Sequence, residues 1–99
     1  MLIRTQHNMW IHLLATLTVI ACGIVFKISH IEWMAIIFAI MIVWLAEAMN
    51  TAVEFLADSI TEEYHPLIEK AKDVAAGGVL IASTGAAVIG IIIFEPYIL

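Results

Sequence analysis

Basic residues, cysteine, proline and nucleotide-binding glycine loops are scarce or missing in this sequence. Only Arg4, Lys27, Lys70 and Lys72 carry positive charge. They form no stripe, which excludes a nucleic-acid-binding surface. Cys22 is the single cysteine, so neither an intrachain disulfide framework nor a thiolate metal site can be built. Inside an apolar run it reads as a small hydrophobe. No glycine-rich segment ends in Gly-Lys-Ser/Thr, and Gly77-Gly78 lies within an apolar stretch. The fingerprints of P-loop enzymes and soluble kinases are therefore absent. No two histidines stand four apart to suggest a helical zinc site. His7 and His12 are five apart and read as interfacial residues. The segment from Met1 to Asn8 leads into the first apolar run with no small-residue cleavage site, so that run reads as a retained span.

Apolar residues, by contrast, are abundant. They make up 64% of the 99 residues, and the mean hydropathy is +1.06. Soluble domains are nearer half apolar, and a soluble fold this small cannot bury so much apolar surface. Lipid must be the missing solvent. The chain reads as a single domain over residues 1–99. Its class is all-α, an integral membrane bundle of three transmembrane helices.

The first span is predicted over about residues 10–27, where Ile11 to Phe26 plus interfacial Met9 and Trp10 approach the roughly 20 residues a crossing needs. A short polar turn is expected from Lys27 to Trp33. The second span is predicted over about 31–57, because Glu47 to Asp58 continues with good helix formers and no Gly or Pro. At 1.5 Å per residue that helix is about 40 Å long. It exceeds a hydrocarbon core of roughly 30 Å, so its C-terminal end emerges into water. A loop is expected from Ser59 to His65 and a new helix near Pro66, where proline is tolerated in a first turn. The third span is predicted over about 70–94, ended by Pro96. Gly78, Ala82, Gly85, Ala86 and Gly90 put small residues on one side of it, which permits close helix approach in lipid. Arg4, Lys70 and Lys72 fall on one side of this layout and Lys27 on the other. The positive-inside rule places the N-terminus and the 58–73 segment in the cytoplasm.

The acidic excess is concentrated in Glu47, Glu54, Asp58, Glu62, Glu63, Glu69 and Asp73, within a net charge of -5. Glu47, Asn50, Glu54 and Asp58 are spaced three, four and four apart, which puts them on one helix face. This polar stripe descends from the membrane surface into the apolar zone. Glu47 lies deepest, directly after Ile40 to Ala46. An ionisable residue at that depth is expensive and marks a functional site. A carboxylate held there, within reach of a lipid hydroxyl, suits general-base chemistry. The solvated end of a helix accounts well for Asp58, partly for Glu54, and poorly for Glu47 and Asn50. Lys72 and Asp73 open the third span opposite the stripe. Lys72 reads either as a point charge for a phosphate oxygen or as a snorkelling interfacial lysine. Any phosphate handled here would rely on carboxylate-bound magnesium, which favours oxygen ligands.

Glu47-Ala-Met-Asn-Thr-Ala-Val-Glu54, then Asp58, then Glu63-Tyr-His-Pro66, then Ala71-Lys-Asp-Val-Ala-Ala-Gly77, resembles the prokaryotic diacylglycerol kinase family, which includes the undecaprenol kinases. The segment Asn8-Met-Trp-Ile-His12 is more weakly similar to the family segment before its first span. The resemblance implies a homotrimer of three-helix subunits in the bacterial cytoplasmic membrane, with active sites shared between neighbours. It implies transfer of phosphate from ATP, with Mg2+, to a membrane lipid alcohol, undecaprenol or diacylglycerol. Glu47 then corresponds to the catalytic base and Glu54 to a metal-binding carboxylate. Glu63, Tyr64, His65, Lys72 and Asp73 correspond to ATP-contacting positions, and Asn50 and Asp58 to supporting ones. Two positions depart from the family pattern. Gln6 stands where a second metal-binding glutamate is usual, and Trp10 where a basic residue is common. The chain also starts about where the family's amphipathic surface helix would end. The wording of the Glu63 and Lys72 segments looks more like the undecaprenol-type branch. Two other readings remain open: a catalytically weakened relative that only binds nucleotide or lipid, and a small cation-binding membrane protein.

Overall fold

A computed structural model describes residues 2–60 and 63–99, with side chains of 2–8 outside the description. Three helices account for nearly all of it: α1 Leu2–Phe26, α2 His30–Ile60 and α3 Pro66–Ile98. All three contain stretches long and apolar enough to cross a membrane. They run up, down and up in a rod of 50 × 21 × 20 Å. Large apolar side chains cover its outside, among them Leu14, Phe38, Leu45 and Ile81. This is the surface that lipid solvates.

The turn between α1 and α2 is set by local chemistry. The Ile28 amide donates to the Gly23 carbonyl at 3.2 Å, and the Lys27 amide to Ile24 at 3.3 Å. Lys27 has φ 53. Together these form a Schellman stop, in which the residue after the helix turns left-handed and satisfies the last carbonyls. Ser29 and Glu32 then form a reciprocal capping box. The Glu32 amide donates to Ser29 Oγ at 3.2 Å, and the Ser29 amide to Glu32 Oε1 at 2.9 Å. Such a box begins a helix at once. The turn is therefore Lys27 to Ser29 alone, shorter than the predicted Lys27 to Trp33 segment. Tyr97 Oη donates to Glu32 Oε1 and Tyr97 stacks on Phe26 at 5.9 Å. The end of α3 is thereby tied to the same turn, above a small core of Ile28, Ile36 and Ile93.

At the start of α3, His65 is the N-cap, with Pro66 in the first turn. The Leu67 amide donates to His65 Nδ1 at 3.2 Å. The predicted stop at Pro96 is overturned, because α3 runs through it to Ile98. Proline forfeits one helical hydrogen bond. So near the end that loss is bridged by the next turn, where the Leu99 amide donates to the Glu95 carbonyl at 2.9 Å. The glycines on the small-residue side of α3 make no close packing contact within the chain. A Cβ added at Gly78, Gly85 or Gly90 would meet nothing within 4 Å.

Packing is uneven. α3 lies along most of α2, α1 touches α2 over a short stretch, and α1 and α3 barely meet. Between α1 and α3 lies an apolar groove of about 760 Å³.

Candidate functional site

The polar stripe of α2 forms as spaced. Glu47 and Asn50 are the buried polar residues of the described chain, 4% and 8% exposed. Trp33 to Glu47 is 14 residues, about 21 Å of helix rise. Glu47 therefore lies below the headgroups if Trp33 marks the opposite interface, given a hydrocarbon core of roughly 30 Å. It is not left to lipid. Glu47 Oε2 stands 3.1 Å from His12 Nε2 on α1. One turn on, Asn50 Nδ2 donates to Glu54 Oε1 at 3.5 Å. Asn50 Oδ1 is buried without a hydrogen-bond partner among the described residues. An orphaned buried acceptor is costly, of order 1–3 kcal/mol, and such a group in a polar cluster is a candidate for ligand contact.

The stripe continues to α3. Lys72 Nζ donates to Asp58 Oδ1 at 3.3 Å, with both side chains about one-third exposed. This contact joins the water-facing end of α2 to the second turn of α3. Beyond it, Glu63, Tyr64, His65 and Asp73 are exposed. His65 already uses Nδ1 in capping α3. The structure thus brings Glu47, Asn50, Glu54, Asp58 and Lys72 onto one continuous face. It places Glu63, Tyr64 and His65 on the rim of that face, and draws none of them into its interior. Gln6 and Glu62 lie outside the residues whose side chains are described, and Trp10 is largely exposed.

His12 corrects the expectation of an interfacial histidine. Its side chain is 17% exposed and faces Glu47. Its ring meets Trp44 edge-on, with centroids 6.2 Å apart. Trp44 Nε1 in turn donates to Thr16 Oγ1 at 3.0 Å, and Thr16 Oγ1 donates to the His12 carbonyl at 2.7 Å. Sequence reasoning missed this cluster because its members lie on two helices. The available signal was depth: a hairpin brings residues equally far from its turn to the same level.

Among the described residues no three of His, Cys, Asp and Glu converge on a metal position. A prebuilt cage is thus not formed there. Magnesium, however, is usually held by one or two carboxylates together with substrate phosphates and water. The half-buried carboxylate of Glu54, held by Asn50 beside an open rim, fits a metal carried in with a nucleotide.

Fold and site define a small membrane protein in which a polar stripe runs from a buried carboxylate in a lipid-facing bundle to a water-exposed rim. A family model described as prokaryotic diacylglycerol kinase matches residues 1–94, and the chain belongs to that family. An undecaprenol kinase of Bacillus subtilis is 41% identical over 93 residues, covering 94% of this chain and 76% of that protein. A diacylglycerol kinase of Synechocystis is 32% identical over 96 residues, 96% of this chain and 55% of that protein. A diacylglycerol kinase of Escherichia coli is 39% identical over 64 residues, 65% of this chain and 51% of that protein. The chain therefore spans about three-quarters of the first relative and about half of the other two.

Proposed function

We propose that this protein phosphorylates a membrane lipid alcohol from ATP, with magnesium, at the cytoplasmic face of a bacterial inner membrane. The observation that carries the reading is Glu47, a carboxylate buried at membrane depth on a stripe that reaches water. The family supports the reaction class. The 41% identity to an undecaprenol kinase supports a long-chain prenol as the first substrate to test, ahead of diacylglycerol.

Phosphoryl transfer needs positioning and charge neutralisation more than covalent help from the protein. The lipid hydroxyl meets Glu47, which takes its proton as the oxygen bonds the γ-phosphorus. The bond from γ-phosphorus to the bridging oxygen breaks, and ADP leaves with that electron pair. Lys72, held by Asp58, offers a point charge to phosphate oxygens. Glu54 would hold magnesium, which would offset the negative charge of the phosphates. Glu63, Tyr64, His65 and Asp73 line the rim over which nucleotide would lie. A homotrimer belongs to the same proposal: α1 stands off from α3, and the glycine face of α3 is unfilled within one chain. An N-terminus inside the cytoplasm follows from the placement of Arg4, Lys70 and Lys72.

The test is transfer of label from γ-labelled ATP to undecaprenol or dioctanoylglycerol by the full chain in phosphatidylcholine vesicles. Glu47→Gln should lower kcat by about a thousandfold, the scale of a lost general base, with helix content retained. No transfer by the unmodified protein, or undiminished transfer by Glu47→Gln, overturns the proposal. Nucleotide-independent ion flux would support a cation pathway instead.

A further inference from the structure

We infer that His12 is a positioning residue for Glu47: its imidazole holds one carboxylate oxygen so that the other faces the substrate hydroxyl. This inference rests on the kinase reading and adds a residue from α1 to its machinery.

The geometry is specific. His12 Nε2 lies 3.1 Å from Glu47 Oε2, and both side chains are largely shielded, 17% and 5% exposed. Among the described residues, His12 is the basic side chain within ion-pair distance of Glu47. A neutral imidazole carrying its proton on Nε2 donates to a carboxylate, which accepts through either oxygen. With Oε2 engaged, Oε1 is left to accept the proton of the lipid hydroxyl. No proton moves on His12 in this role.

The ring is packed by one neighbour and the backbone that carries it is bonded to another. Trp44, three residues before Glu47 on the same helix, meets it edge-on. Thr16 pins the His12 backbone from one turn above, while accepting from Trp44. A ring supported by packing and by a neighbouring hydrogen bond is pre-organised, as a precise site requires. His12 also borders the apolar groove between α1 and α3, alongside Ile11, Ala15, Ala86 and Gly90. The groove gives a lipid chain a path along the bundle to the level at which His12 meets Glu47. A loose interfacial histidine would need none of these contacts.

The alternative is that His12 merely ties α1 to α2, since polar pairs hold helices together in lipid. Side-chain length separates the two. The glutamine amide nitrogen reaches about where the imidazole Nε2 lies, whereas the asparagine amide reaches only the Nδ1 position. In the vesicle assay with γ-labelled ATP and undecaprenol, His12→Ala should lower kcat by about 100-fold, the scale of a reacting group displaced by an ångström. The KM for ATP should stay within about twofold. His12→Gln should recover most of the loss and His12→Asn little of it. Tyr97→Phe, which cuts the tie between the end of α3 and Glu32 at the start of α2, should lower thermal stability with kcat within about fivefold. In 15N-labelled protein, Glu47→Gln should shift the His12 imidazole resonances.

Full activity in His12→Ala overturns the inference. So does an equal loss in the His12→Gln, His12→Asn and Tyr97→Phe variants, or an unmoved His12 resonance. No transfer by the unmodified chain overturns the kinase reading and this role with it. Transfer by the unmodified chain that His12→Ala leaves intact overturns this role alone.

Discussion

Gly23 is where the α1–α2 hairpin leaves no room for a side chain. A Cβ built there lies 2.6 Å from Trp33 Cη2, 2.8 Å from Trp33 Cζ2 and 3.2 Å from Ile28 Cδ1. Carbon atoms prefer about 3.5–4.0 Å, so Gly23→Ala drives a methyl about 1 Å too far into the indole. The ring cannot swing away freely, because Trp33 packs against the Ile28, Ile36 and Ile93 cluster. Overpacking of this kind costs about 1–3 kcal/mol. Alanine recovers up to about 1 kcal/mol through helix propensity, less so near a helix end. The expected net loss is about 1–2 kcal/mol. Equilibrium unfolding from mixed micelles by increasing SDS measures it. Gly77→Ala is the control: nothing lies within 4 Å of the added methyl, so the change should be neutral or stabilising by up to about 1 kcal/mol. In a Trp33→Phe background, which removes the clashing atoms, the penalty at Gly23 should shrink. The cycle should show coupling of about 1 kcal/mol or more. Unaltered stability in Gly23→Ala, or a penalty as large in the Trp33→Phe background as with Trp33 in place, would refute the steric argument.

Two further outcomes follow from the same structure. Lys27 holds φ 53 at the helix stop, a conformation that costs a non-glycine residue about 1 kcal/mol or more. Lys27→Gly should therefore raise stability in the SDS titration by about 0.5–1 kcal/mol. Asp58→Asn weakens a pair at 3.3 Å whose members are both about one-third exposed. Stability should change by less than about 1 kcal/mol. The KM for ATP should rise about twofold to fivefold, as Lys72 loses its anchor on the scale of an exposed ion pair. A fall in kcat with constant KM would instead place Asp58 at the reacting centre.

The spans were legible because apolar runs of that length leave a chain few other places to go, and Pro66 announced the third helix. The stripe was legible because 3.6-residue periodicity places Glu47, Asn50, Glu54 and Asp58 together without any knowledge of neighbours. Pro96 misled because a proline stops a helix only where later turns cannot bridge the missing bond. The glycines of α3 were only half legible, because a small face shows that close approach is possible without naming what approaches. His12 is the instructive failure. A carboxylate at the depth of Glu47 requires a partner, so the sequence already demanded one. Counting from the turn, Glu47 lies 17 residues beyond His30, about 25 Å down α2, and His12 lies 14 residues before Phe26, about 21 Å down α1. Thr16 falls at about 15 Å on the same count, one turn short, where it meets Trp44 instead. Periodicity assigns faces within a helix. This depth match across the hairpin, good to about one helical turn, joined to the rule that a buried charge must be answered, narrows the answer to the polar residues Asn8 and His12 on the next one.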